Sequence, residues 1–245
     1  MIGALLFLTA FAAAEFVTAL VDEVGGIAFH IVVLFLLILF SSRARPPYRA
    51  FYLCLTLVPL MRIVSLSMPS LELSEIYWFL TVSLPLFVAI LLIVRILRLR
   101  PSDLGLAVRK WPAQVLIGLT GIGLGWIEYE ILRPTALVAS PAIQNVVPAS
   151  IVLLVSAGFL EELAFRGVIQ RCAEESLGEW GWLYVAAVFS TLYIGYLSAE
   201  EWVLVLVVGL FFGWVVKKTG SLFGVTLAHG IANICLYVAL PLVVS

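Results

Sequence analysis

Charge is scarce in this sequence. Only 12% of its 245 residues are Asp, Glu, Lys or Arg, against roughly 25% in a soluble domain. That excludes a soluble domain of ordinary surface. Histidine is scarcer still, with His30 and His229 alone, and no His-Glu-x-x-His pattern exists. The three cysteines, Cys54, Cys172 and Cys235, are far apart and form no Cys-x-x-Cys. They give neither a zinc framework nor a disulfide scaffold and read as ordinary helix residues. No basic patch exists beyond what membrane topology explains, so nucleic acid is excluded as a partner. The net charge of −1 identifies no partner either.

Apolar surface is what the chain has. Hydrophobic residues make up 63% of it, and its mean hydropathy is +1.16. Crossing the hydrocarbon core takes about 20 apolar residues per helix, so the length suffices for eight or nine spans. The expected fold class is all-α, a polytopic transmembrane bundle in one compact membrane domain. Helices are expected near residues 2–20, 26–41, 48–67, 74–97, 112–132, 147–170, 180–197, 201–216 and 221–243. The first, though apolar and Ala-rich, lacks the basic leader of a signal peptide and reads as a span.

The loops alternate in sign. Asp22 and Glu23 lie in the first, Glu72 and Glu75 around the third, and Glu200 and Glu201 in the seventh. Arg43, Arg45 and Arg49 mark the second; Arg98, Arg100, Arg109 and Lys110 the fourth; Lys217 and Lys218 the eighth. Basic loops face the cytoplasm. The reading is a multi-pass protein of the plasma (inner) membrane, with a cytoplasmic N-terminus and an outward C-terminus. The polar stretch 98–111, punctuated by Pro101 and Gly105, separates front helices (1–97) from a back half (98–245) that holds the chemistry. The helix at 112–132 carries Gly118, Gly121, Gly123 and Gly125, which suits close packing inside a bundle.

Ionisable groups at bilayer depth are costly and point to function. Glu161-Glu162-x-x-x-Arg166 places Glu162 and Arg166 on one helical face and turns Glu161 elsewhere. That divides the pair into one structural and one working carboxylate, with Glu161 a candidate general base. His229-x-x-x-Asn233 puts two hydrogen-bond donors on one face of the last helix, suited to a developing oxyanion, and Thr226 shares that face. Helix 180–197 offers the hydroxyls of Ser190, Thr191, Tyr193 and Tyr196. Glu128 and Glu130, flanked by Trp126, Tyr129 and Arg133, read as an interfacial belt. Blander readings compete. A buried Glu–Arg pair can be structural, His30 reads as a packing residue, and Glu15 and Arg62 read as partners within the bundle or at its edge.

These motifs resemble the CAAX protease and bacteriocin-processing family, also called the abortive-infectivity family, related to the type II CAAX prenyl endopeptidases. The resemblance covers residues 98–240. Its first motif, Glu-Glu-x-x-x-Arg, is matched by Glu161, Glu162 and Arg166; its third, His-x-x-x-Asn, by His229 and Asn233. The second, Phe-x-x-x-His, is matched at Phe189 but holds Tyr193 where the His belongs. The resemblance implies a hydrolase that activates water with Glu161, supported by Glu162 and Arg166. His229 and Asn233 would form the oxyanion hole, and Tyr193 would stand in for an absent acid–base group. Losing such a group typically costs about 10² to 10⁴ in rate, and a phenol is a poor base at neutral pH, though it can orient a water.

Three readings follow. The first is an endopeptidase acting on a membrane-associated peptide or protein, with no cofactor; zinc is conceivable through Glu161, Glu162 and His229 but not favoured. The second is a pseudoprotease that binds without cutting. The third, a transporter, is weakened by the absence of inverted repeats.

Overall fold

The structure, a computed structural model, describes residues 1–68, 75–194 and 198–244. Among these residues there is no strand, and eight helical stretches are long and apolar enough to cross a membrane. One of them, Ile143–Thr191, bends back at Gly178, whose φ is +63, and is best taken as two. We number the helices α1 (Ile2–Leu20), α2 (Glu23–Arg43), α3 (Tyr48–Ser67), α4 (Glu75–Leu97), α5 (Trp111–Leu132), α6 (143–177), α7 (Gly181–Thr191), α8 (Ala199–Thr219) and α9 (Phe223–Val244). This is a multi-pass membrane protein. In lipid every backbone group must be satisfied within its own segment, which is why apolar runs of this length become helices.

Local chemistry sets several boundaries. Asp22 caps α2, accepting from Gly25 N at 2.6 Å, and Ser198 caps α8 through Glu201 N at 3.3 Å. Gly220 closes α8 in the left-handed conformation, φ +66. The helix α3 breaks at Thr56, because Pro59 lacks an N–H and crowds the carbonyl four residues earlier. The seventh helix is shorter than its sequence suggests: α7 ends at Thr191, and Tyr193 lies in the turn beyond it. Gly195, Tyr196 and Glu72 lie outside the described residues.

The buried centre of the bundle is α6, whose residues 162–170 are all buried. It is not a regular α-helix. Residues 153–159 and 163–169 form wide i→i+5 turns on either side of Glu161 and Glu162, a feature that recurs at functional sites. Glycines then draw α9 in between α5 and α6. A Cβ on Gly121 or Gly125 would collide with the backbone oxygens of Ala228 and Ala232, and one on Gly158 would meet Gly230 N at 2.9 Å. Small residues are what allow such approach, and the resulting register turns His229 towards α6. On the front side α1, α2 and α3 pack together through Phe7, Phe40 and Tyr52. The thiols of Cys54 and Cys172 meet at 2.8 Å and join α3 to α6.

Candidate active site

The two carboxylates of α6 part company as their spacing predicts. Glu162 is fully buried. Its Oε1 accepts from Arg166 Nη1 at 3.0 Å and lies 2.9 Å from His229 Nδ1. One oxygen therefore ties the first motif to the third, across two helices. For an ionised carboxylate to accept from Nδ1, the imidazole must carry a proton there. The other ring nitrogen, Nε2, then faces Glu161, whose Oε2 stands 3.9 Å away, beyond hydrogen-bond range.

Arg166 is buried inside an aromatic cage. Its guanidinium sits 4.5 Å over the Phe189 ring and within 6.0 Å of Phe165 and Phe212. Such stacking holds a planar cation in place without a second acid. Phe189, the second-motif aromatic, thus acts through Arg166.

Glu161 differs from its neighbour. Its side chain keeps 23% of its exposure, and its Oε2 has no hydrogen-bond partner among the described residues. Asn233 donates one Nδ2 hydrogen to the His229 carbonyl at 3.2 Å; an amide nitrogen has a second. Tyr193 leans on Phe189 with ring centroids 5.4 Å apart. Ser190 and Thr191, by contrast, close onto their own helix, donating to the carbonyls of Ala187 and Val188, so neither hydroxyl is offered to the site.

Two cavities meet here. One, of about 160 Å³, contains Glu162, His229 and Asn233. The other, of about 540 Å³, contains Glu161 and runs forward to Met61, Arg62 and Trp78. Phe189, Tyr193 and Tyr237 line both, so the residue in the second-motif position stands in the partition between them.

The sequence placed some residues wrongly. Glu128 lines the smaller cavity, a place its sequence neighbourhood did not indicate, while Glu130 pairs with Arg133 at 2.7 Å on the exposed surface. Glu201, read as a loop charge, is 2% exposed and lines the same cavity. His30 does have a partner, 3.1 Å from Glu15 Oε1, and Arg62 grips Glu15 through Nε at 2.5 Å and Nη2 at 2.8 Å. Among the described residues no group of three His, Cys, Asp or Glu side chains is arranged to hold a metal.

Residues 143–235 match the family model described as type II CAAX prenyl endopeptidase Rce1-like. No curated protein and no solved structure matches the chain.

Proposed function

We propose that this chain, whose residues 143–235 match the Rce1-like model of type II CAAX prenyl endopeptidases, is a membrane-embedded endopeptidase working through a glutamate-activated water. The observation that supports this most is the shared oxygen of Glu162, which holds Arg166 and His229 within 3.0 Å. It ties the first motif to the third across two helices, with the Glu161 carboxylate 3.9 Å from the imidazole.

In this reading Glu161, unbonded and partly exposed, takes a proton from water as the water oxygen attacks the scissile carbonyl carbon. Negative charge moves to the carbonyl oxygen, where the free amide hydrogen of Asn233, with the Nε2–H of a His229 imidazolium beside it, stabilises it. Collapse of the tetrahedral intermediate breaks the C–N bond. The departing amine takes its proton from Glu161, and a carboxylic acid and an amine leave. Glu162 and Arg166 are positioning residues throughout. No metal is used. The substrate is a membrane-associated peptide or protein, the setting is the plasma membrane with the N-terminus in the cytoplasm, and nucleic acid plays no part. Glu161→Ala should abolish cleavage of a peptide library by the purified protein; unchanged cleavage overturns the reading.

Tyr193 favours a second reading, a pseudoprotease that binds such a segment without cutting it. Tyr193→His separates the two. An inert protein that gains cleavage by about 10² or more supports the binding role, since that is the typical contribution of one acid–base group. Robust turnover by the unaltered protein removes it.

A further inference from the structure

The smaller cavity is a passage rather than a round void. Its walls are single stripes of three helices. From α5 come Leu124, Glu128 and Leu132; from α8 come Glu201, Leu204, Val205, Val208 and Phe212; from α9 come His229, Ala232 and Asn233. At 1.5 Å per residue, Glu201 and Phe212 stand about 16 Å apart along α8. The His229 ring lies near the Phe212 end, at 6.2 Å. The Gly125–Ala232 contact sets Glu128 about level with residues 235–236 of α9. That is roughly 10 Å beyond His229 along the axis. The passage thus has the candidate active site at one end and two acids towards the other.

One of those acids, Glu201, has an unanswered oxygen. Glu201 is 2% exposed, and its Oε2 has no hydrogen-bond partner among the described residues. Glu128 is its electrostatic neighbour, so like charges converge in a poorly solvated space. Glu162 adds a third carboxylate at the base, its Oε2 also without a partner. No Lys or Arg is among the described residues lining the passage, and Arg166 is committed to Glu162 and its aromatic cage. Buried polar atoms are nearly always satisfied, and a cation is the partner that suits several acids with no Lys or Arg beside them. A chelated metal is disfavoured, since no three ligands gather.

We propose that Glu128 and Glu201 form a recognition site for a basic side chain, lysine or arginine, of the segment that enters this passage. The proposal rests on the peptide-binding reading of the chamber. It also fits the walls. A lysine or arginine carries an apolar stem that suits Leu204, Val205 and Val208, and a charged head that suits the two acids. An extended chain advances about 3.3 Å per residue, so the basic residue falls within about three residues of the scissile bond.

The test uses the purified full-length protein in nanodiscs and two leucine-rich tetrapeptides, capped at both ends, that differ only in lysine against norleucine. Binding is measured by thermophoresis for the unaltered protein and for Glu128→Gln, Glu201→Gln and the double variant, with thermal unfolding to confirm folding. The unaltered protein should bind the lysine peptide at least about tenfold tighter. The double variant should lose that difference and keep its norleucine affinity. Equal binding of the two peptides to the unaltered protein overturns the proposal, as does a lysine preference that survives in the double variant. Should a variant fail to fold, a lysine peptide acetylated on Nζ replaces it: undiminished binding of that neutral peptide to the unaltered protein is equally fatal. Cleavage is scored separately. Lysine-selective binding without cleavage leaves the site standing and removes the endopeptidase reading; cleavage without lysine preference does the reverse.

Discussion

Adjacent glutamates at positions 161 and 162 have opposite jobs, and their stability effects should differ accordingly. Glu162 is buried and shared between a guanidinium and an imidazole. Glu162→Leu strands Arg166 inside its aromatic cage, and breaking a buried pair from one side costs about 3–5 kcal/mol. Glu161 Oε2 gives up no hydrogen bond when changed. Glu161→Gln should therefore unfold within about 1 kcal/mol of the parent while losing cleavage. Denaturant titration of both variants in the same detergent checks the contrast; equal destabilisation would refute the division of labour. This division was legible in the sequence, because residues four apart share a helix face and neighbours do not. Glu201 was not. Two residues into a helix, next to another glutamate and after a turn, it looks like any solvated loop charge. Only the burial of its helix face reveals it.

At the scale of the helix, α5 shows which glycines matter. Gly118, Gly121 and Gly125 face α9, whereas a Cβ on Gly123 would meet nothing within 4 Å. Gly125→Leu should separate α5 from α9 and destabilise the bundle by about 1–3 kcal/mol. Gly123→Ala should be neutral or stabilise by up to about 1 kcal/mol, through helix propensity alone. Thermal unfolding of the two proteins distinguishes them. The sequence marked all four glycines as packing residues, since composition cannot say which way a uniformly apolar helix is turned. It also carried the seventh helix through Tyr193. The structure ends that helix at Thr191, earlier than hydropathy alone implies.

For the whole molecule, the alternation of basic and acidic loops predicts orientation. Ser102→Cys and Ser140→Cys lie in the loops on either side of α5. In intact cells a membrane-impermeant thiol reagent should label the second and spare the first; the reverse pattern overturns the cytoplasmic N-terminus. The front helices read from sequence as hydropathy alone. The structure adds that they carry a polar cluster of their own, Glu15 between Arg62 and His30, and that Arg62 lines the larger cavity with Glu161. Three helices had to meet for that cluster to exist. Residues 15, 30 and 62 share no spacing that a sequence pattern could have used.

The two widened turns of α6, at 153–159 and 163–169, bear on how this helix tolerates change. Each takes up one residue more than an α-turn would, and one residue corresponds to about 100° of rotation. Deleting a single residue within 163–169 would let the backbone relax to ordinary bonding while swinging everything beyond it around the axis. Gln170 would leave the Gly213 carbonyl that it now reaches at 3.0 Å, and Cys172 would leave Cys54. Substitutions along the same stretch keep that phase. In α6 it is the number of residues, as much as their kind, that aims the C-terminal half of the helix.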